Sequence, residues 1–271
     1  MLTLVADYTI KDYPAGAEMV DYNIYTGLKI PYVSSRVLNT IDPASHYIIS
    51  NATMLHPALR QELMSRGNYS ILEHDYKIHP TRQPHRYPNN IFPKHELINL
   101  DFFKKAKQVF LQSTDHLECY RDNGVEAKFI NLATSIWSEE ELNRLEQIEE
   151  ESSYSTHMFA IIGDTGPDKG QENAVNWCKM NTLDYFILPK LPQYQFYSAL
   201  AAHPALVYMP NVKESFCRLV VEARCLSLNV ISPKNFGAVR EPWFHLRGKE
   251  MIQFLRQRSK SNLTLIQSLC Q

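Results

Sequence analysis

Short apolar runs recur along this chain, and a longer polar segment with helical character follows each one. The runs of the first half are Leu2–Ala6, His46–Ser50, Tyr69–Leu72, Gln108–Leu111 and Lys128–Leu132. Runs of this length between helical segments predict strands that alternate with helices. Strands connected through helices form a parallel sheet covered on both faces, so the pattern predicts an α/β fold.

The same alternation begins again at Met158 and continues to Ser232. Between the two sets, the segment from Trp137 to Ser155 starts as an acid-rich helix and becomes a polar stretch without apolar periodicity. A length of 271 residues also suits two domains. We therefore predict doubly wound domains at residues 1–152 and 153–242, followed by a helical tail at 243–271 that packs back on the first domain.

The overall charge favours no class of partner, because 28 Lys and Arg stand against 29 Asp and Glu. Its distribution is uneven: the segment Lys77–Lys107 has seven Lys or Arg, two acids and three His, whereas Glu139–Glu151 has seven acids and one Arg. The first of these segments is a candidate basic surface. With 44% hydrophobic residues, the chain is expected to bury a core.

The five cysteines are odd in number, widely scattered and without a Cys-x-x-Cys pair. This usage predicts neither a disulfide framework nor a zinc site. The N-terminal segment becomes polar at Asp7, too early for a secretory signal, and no apolar run approaches eighteen residues. We expect a cytoplasmic protein with no membrane span.

Two glutamates between Pro210 and Ser232 carry the strongest functional indication. Glu214 is predicted in the loop after a strand, and Glu222 in the second turn of the next helix, with seven residues between them. A helix start offers unpaired N–H donors and partial positive charge to a diphosphate, and carboxylates accept hydrogen bonds from sugar hydroxyls. Two ordinary glutamates on a solvated helix fit the same spacing. The predicted backbone donors are those of Ser215, Phe216 and Cys217.

This segment resembles the motif of retaining, nucleotide-sugar-dependent glycosyltransferases with the GT-B fold, and of glycosyltransferase family 4 in particular. In that motif seven residues separate two glutamates. The surrounding residues that match are Pro210, Phe216, Ala223, Cys225, Val230 and Ile231. The family's helix-ending glycine and following proline are replaced by Ser227 and Asn229. The resemblance implies two Rossmann-like domains facing each other across a cleft, with Glu214 on the donor sugar and Glu222 on the ribose hydroxyls.

A second segment, Phe159–Gly170, is similar to the family's strand, glycine turn and Lys-Gly pair. By this resemblance Lys169 binds the donor diphosphate, and the backbone at Gly163 approaches it. The family often has a basic residue directly after the first glycine, where this chain has Asp164. The resemblance therefore leaves the second phosphate cation to another residue, for which Arg218 is the candidate.

The N-terminal half resembles the family through its strand ends. Gly16 and Glu18 stand in the place of a glycine loop that faces the donor phosphates and the acceptor. His74 and Asp75 are similar to a strand-end His-Asp pair whose histidine lies against the transferred sugar, and Glu18 and Asp75 are candidate contacts for the acceptor. Ligands of doubly wound sheets bind at this strand edge, although a lone histidine is often structural.

The segment from Lys77 to Lys94 interleaves basic residues with prolines, which predicts an irregular exposed loop. One interpretation is a solvated connection. The other is a surface for a polyanionic acceptor, in which Lys77, Arg82 and Arg86 contact phosphates. Compact relatives occur in bacteriophages, and some phage enzymes of GT-B type glycosylate hydroxymethylated pyrimidines in DNA, so DNA is the acceptor that this resemblance suggests.

The sequence thus predicts transfer of a sugar from a nucleotide-sugar donor to a hydroxyl group, catalysed chiefly by His74, Glu214 and Lys169. No cofactor is expected beyond the donor, and no metal, because the chain has no Asp-x-Asp arrangement. Two alternatives stay open. One is a glycan or a lipid-linked acceptor, and the other is a noncatalytic module that binds nucleotides or DNA.

Overall fold

The computed structural model describes residues 1–13, 15–163, 166 and 168–270. Contacts between Cα positions divide the chain into two compact units, Met1–Ser138 with Arg258–Gln271, and Glu139–Gln257. Each unit is built on a parallel sheet, which confirms the α/β fold class. Among the described residues, no helix has the length and hydropathy needed to cross a membrane.

The first unit has a sheet of six parallel strands in the order β2-β1-β3-β4-β5-β6. Its strands are β1 (Leu2–Ala6), β2 (Tyr32–Ser34), β3 (His46–Ile49), β4 (Tyr69–Leu72), β5 (Val109–Leu111) and β6 (Phe129–Asn131). Its helices are α1 (Gly16–Leu28), α2 (Pro57–Arg66), α3 (Leu100–Lys105) and α4 (Thr114–Asp122). Five of the strands lie in predicted apolar runs, and the edge strand β2 does not.

Alternate side chains of the central strands enter two apolar cores, one on each face of the sheet. Val5 and Ile49 belong to the core that includes α2, α3 and α4, and Leu4 and Ile48 to the core that includes α1. Ile266 from the C-terminal end of the chain packs into this second core. Each such buried side chain contributes about 1.5–3 kcal/mol, so burial on both faces explains why these strands are continuously apolar.

The second unit has four parallel strands in the order β10-β9-β7-β8. These are β7 (Phe159–Ile162), β8 (Tyr185–Leu188), β9 (Ala205–Val207) and β10 (Asn229–Ile231). The helices after Ser138 are α5 (Glu139–Glu151), α6 (Gln171–Met180), α7 (Gln193–Ala201), α8 (Arg218–Cys225) and α9 (Gly248–Leu269). The division between the two units falls within α9, at residue 258.

The compact units differ from the domain ranges expected from the sequence. Helix α5 was assigned to the first domain, but its buried Leu142 and Leu145 lie in the second unit, where α5 contacts α7 and α8. The tail expected at 243–271 is likewise divided, and its residues up to Gln257 lie with the second unit. An acid-rich helix has one apolar face like any other amphipathic helix, and that face determines where it packs.

The basic segment after β4 is anchored rather than exposed along its whole length. It contains 3₁₀ turns at Pro84–Arg86, Pro88–Asn90 and Lys94–Glu96. The ring of buried His79 stacks on that of Phe92, with 4.3 Å between the centroids, and its Nε2 lies 2.8 Å from Glu96 Oε2. The expectation of a wholly exposed loop was wrong, because buried aromatic contacts hold the segment against the first core.

All five cysteines are buried and none is in a disulfide. Cys119 and Cys270 pack in the first unit, and Cys178, Cys217 and Cys225 in the second. A buried thiol in apolar surroundings behaves as a small hydrophobic side chain.

Candidate functional site

The turn before α6 places Lys169 next to Glu214. Gly170 has a φ of +65°, and a Cβ atom there would lie 1.7 Å from the carbonyl oxygen of Met209. Only glycine tolerates both the positive φ and this short distance, so Gly170 allows the start of α6 to approach the loop after β9. Lys169 Nζ consequently lies 3.2 Å from Glu214 Oε1. These two residues, 45 positions apart in the sequence, are therefore in contact. Their contacts with a donor stay predictions.

Gly163 has a comparable packing role at the end of β7. Its N–H donates a hydrogen bond of 2.7 Å to the carbonyl of Leu188, and a Cβ atom would lie 2.3 Å from that oxygen. The missing side chain therefore allows close contact with the end of β8. Its contact with a donor phosphate stays a prediction, and Asp164 lies outside the described residues.

Both the backbone and the side chain of Glu214 are held in place. Its N–H donates to the carbonyl of Asn235 at 3.2 Å, and its carbonyl accepts from the N–H of Gly237 at 3.0 Å. Its Oε1 accepts a hydrogen bond of 2.5 Å from the hydroxyl of Tyr208 in addition to the contact with Lys169. The Lys169 side chain is 45% exposed and that of Glu214 19%. The pair is therefore accessible from solvent on the lysine side.

Tyr208, which contacts Glu214, was not among the residues expected from the sequence, although its position gives one signal. Tyr208 directly follows β9, at the carboxyl end of a central strand. Side chains at this edge of a parallel sheet converge where ligands bind. A polar aromatic residue at that position was therefore a candidate.

Ser215, Phe216 and Cys217 are buried and precede α8, which begins at Arg218. Cys217 is the N-cap and has a φ of +75°, a conformation that costs a residue with a side chain about 1–2 kcal/mol. Burial raises the pKa of its thiol well above the ordinary value, and the charge of Glu214 and a side-chain hydrogen bond with it add to this shift. The thiol therefore stays protonated near neutral pH. Contacts from these three residues to a diphosphate stay predictions.

Arg218 and Glu222 lie one turn apart on α8 and form a buried ion pair. Arg218 Nε lies 3.2 Å from Glu222 Oε1, and Arg218 Nη2 lies 2.7 Å from Glu141 Oε1 on α5. Burial alone would lower the pKa of Arg218, but the two carboxylates outweigh this effect and the pKa is raised. The guanidinium is thus a permanent cation between two carboxylates. Its expected contact with a donor phosphate stays a prediction.

In the first unit His74 follows β4, as predicted, and its ring is held on both sides. Its Nε2 lies 2.9 Å from Ser50 Oγ and 3.1 Å from Asp21 Oδ1, and its Nδ1 accepts a hydrogen bond of 2.6 Å from Gln112 Nε2. The histidine side chain is 5% exposed and that of Asp21 is fully buried. Ser50 and Gln112 directly follow β3 and β5, the two neighbours of β4, so the strand pattern could have identified both.

Gly16 and Glu18 lie in the first turn of α1. Among the described residues, apart from its chain neighbours and the backbone of its own helix, no atom lies within 4 Å of the position that a Cβ at Gly16 would occupy. Glu18 is buried, and burial raises the pKa of its carboxyl group, with a further contribution from the charge of Asp21. The resemblance placed these two residues in a loop, whereas both belong to the helix. Their contacts with donor and acceptor stay predictions.

Besides Glu18, the four other residues expected to bind the acceptor, Asp75, Lys77, Arg82 and Arg86, differ in exposure. Lys77 is buried, and its Nζ lies 2.6 Å from Glu73 Oε1, so the expectation of an exposed cation there was wrong. The physical reason is that an internal carboxylate compensates the buried ammonium. Arg82 is exposed, and its Nη1 lies 3.5 Å from Asp75 Oδ2. Arg86 is exposed as well.

Within the described ranges, no group of three or more His, Cys, Asp or Glu side chains is arranged to hold a metal ion.

Comparison with known proteins relates the chain to solved glycosyltransferase structures. No protein-family model matches it, and no curated protein matches it. The trehalose-6-phosphate synthase OtsA superposes with a TM-score of 0.61 at 9% identity, covering 100% of this chain and 99% of the other. The Escherichia coli enzyme bound with UDP-2-fluoro glucose gives 0.61 at 10% identity with the same coverage.

Anabaena Alr3699/HepE in complex with UDP and glucose superposes with a TM-score of 0.54 at 14% identity, covering 97% of this chain and 90% of the other. Superpositions that cover nearly the whole chain show a shared fold, while identities of 9–14% leave the activity to be argued from the site. The fold predicted from the sequence is therefore confirmed: this chain has the GT-B fold.

Proposed function

We propose that this protein is a retaining glycosyltransferase that transfers a sugar from a nucleotide-sugar donor to a hydroxyl group. The observation that carries the proposal is the pairing of Lys169 with Glu214 at the sheet edge of the second unit, with Glu222 on the helix that follows. Two structures with the same fold contain UDP-2-fluoro glucose, or UDP and glucose. A UDP-sugar is accordingly the donor that we propose.

The residues of the second unit suit the charge that develops during transfer. The bond between the anomeric carbon and the diphosphate breaks, a bond to the acceptor oxygen forms, and the acceptor proton is released. The ammonium of Lys169 stabilises the negative charge on the departing diphosphate. The carboxylates of Glu214 and Glu222 accept hydrogen bonds from hydroxyls of the sugar and the ribose, which holds the donor in its reacting geometry.

In the first unit we propose His74 as the residue that contacts the transferred sugar, and the start of α1 at Gly16 as a contact for the donor phosphates. The position of His74 at the carboxyl edge of the sheet supports this assignment. Gln112, Ser50 and Asp21 fix the orientation of its ring. Glu18 and Asp75 stay candidates for the acceptor.

A thermal-shift screen against UDP-, GDP- and ADP-sugars tests the donor assignment. A ligand at one hundred times its dissociation constant adds about 2.7 kcal/mol to the stability of the folded state, so we expect a UDP-sugar to raise the unfolding temperature by several degrees. Slow donor hydrolysis without an acceptor would distinguish an enzyme from a noncatalytic nucleotide-binding module. Absence of both stabilisation and hydrolysis with all three donor classes would contradict the proposed function.

DNA with hydroxymethylated pyrimidines is the acceptor that we propose, supported by the exposed side chains of Arg82 and Arg86. Binding to labelled duplex DNA is expected to weaken with salt. Replacing both arginines with alanine should reduce the log–log slope by about one unit per lost phosphate contact. The matched control is Arg66→Ala, an exposed arginine of the same unit outside this segment. No binding at low salt and no sugar transfer to modified DNA would favour a glycan or a lipid-linked acceptor.

A further inference from the structure

Three charged side chains of the second unit meet in its interior. Arg218 contacts Glu141 at 2.7 Å and Glu222 at 3.2 Å, and each of the three side chains is at most 8% exposed. Replacing such a buried ionic group with well-packed apolar residues is often neutral or stabilising. Stability alone therefore gives little reason for this arrangement, and a role in the adjacent candidate site is the better explanation.

The group connects Glu222 to parts of the fold outside its own helix. Glu141 belongs to α5, and its Oε1 accepts a hydrogen bond of 3.2 Å from Gln193 Nε2 on α7. The same Gln193 amide donates at 2.7 Å to the hydroxyl of fully buried Tyr197. The position of the Glu141 carboxylate is thus determined by two helices. Because Arg218 contacts both carboxylates, the position of Glu141 constrains that of Glu222.

A glutamate side chain has three rotatable bonds, and holding it in one rotamer costs conformational entropy. The planar guanidinium of Arg218 offers donors in a fixed geometry, so it can bind one carboxylate through Nη2 and another through Nε. Arg218 contacts Oε1 of Glu222 through Nε and Oε1 of Glu141 through Nη2. This geometry selects one orientation of the Glu222 carboxylate before any nucleotide binds.

We propose that Arg218 and Glu141 are positioning residues that orient Glu222 toward the ribose hydroxyls of the nucleotide. The inference rests on the proposed function, in which Glu222 accepts hydrogen bonds from the ribose. Its consequence is a binding preference for a ribonucleotide over the matching 2′-deoxyribonucleotide. That preference depends on the orientation of one carboxylate, whereas general damage to the fold would weaken the binding of both nucleotides.

Calorimetric titration of the full chain with UDP and with 2′-deoxy-UDP measures this preference. We expect wild type to prefer UDP by about tenfold or more, the range for a hydrogen bond to a charged group. Glu222→Ala should abolish the preference. Glu141→Gln should reduce it to below about threefold while changing the affinity for 2′-deoxy-UDP much less.

Arg218→Met alone leaves two buried carboxylates without their cation and can unfold the unit. The double variant Glu141→Gln with Arg218→Met removes that conflict, and its thermal unfolding shows whether it folds. It is expected to lose the ribose preference as well. The matched control is Arg256→Met, which removes ion pairs of 2.9 Å to Glu139 and Glu146, two other glutamates of α5, and should keep the preference.

The inference is overturned if Glu141→Gln and a folded double variant keep the wild-type preference while Glu222→Ala loses it. It is also overturned if Arg256→Met reduces the preference as much as Glu141→Gln does, because the effect would then be general. A wild-type chain that binds both nucleotides equally, or neither, overturns the ribose contact in the proposed function itself, and this inference with it.

Discussion

Replacing Lys169 with alanine is expected to lower the turnover number by about two to four powers of ten, comparable to the loss of a preorganised donor in a transition state. The ammonium lies 3.2 Å from Glu214 and is half-exposed, so it is placed to meet a bound diphosphate. Steady-state kinetics with a UDP-sugar and any accepted hydroxyl compound, or donor hydrolysis if none is known, gives the measurement.

Two further variants make this experiment specific. Lys169→Arg keeps the positive charge and should restore part of the activity. Lys179→Ala removes an exposed lysine at the end of α6 in the same unit and should leave the activity unchanged. An alanine variant of Lys169 with activity within a factor of two of wild type would show that this residue only shapes the loop.

The two glutamates are expected to affect different steps. Glu214→Gln should lower the turnover number about a hundredfold or more, with a small effect on the affinity for free UDP, because this carboxylate contacts the reacting sugar in the proposed complex. Glu222→Ala should weaken UDP binding about tenfold or more, because it loses the ribose hydrogen bonds. Calorimetry with UDP and kinetics with the sugar donor separate the two effects.

The matched control for both changes is Glu172→Gln, an exposed glutamate of the second unit in the first turn of α6. This variant should bind UDP and turn over like wild type. If the variants of Glu214 and Glu222 also behave like wild type, the assignment of the two carboxylates to the donor site is wrong. Circular dichroism on each variant checks that it is folded.

Much of the fold could be predicted because the strands of a parallel sheet are buried on both faces. Leu4 and Val5 enter opposite cores, so β1 had to be apolar at successive positions. The edge strand β2 has only half-buried residues and gave no such signal. Lys169 and Glu214 could be singled out from a resemblance, which assigned both to the donor, but their direct contact could not.

The partners of buried charges could not be predicted, because they come from distant parts of the chain. Arg218 lies 77 residues from Glu141, and nothing in the sequence of α8 indicates that its guanidinium turns inward. Lys77 is a second buried cation that the sequence did not reveal. Its basic segment suggested an exposed lysine, yet Glu73 pairs with it in the interior. Side-chain direction in such segments depends on tertiary packing, which local patterns do not contain.

The burial of every native thiol makes this chain a suitable background for site-specific labelling. None of the five cysteines is exposed, and burial raises the pKa of Cys217 and Cys225 well above the ordinary value, so maleimide reagents should react with them slowly. A cysteine introduced at an exposed position in each unit would carry a fluorophore or a spin label without prior removal of the native ones. Distances between such labels, recorded with and without UDP, would report directly on conformational change in solution.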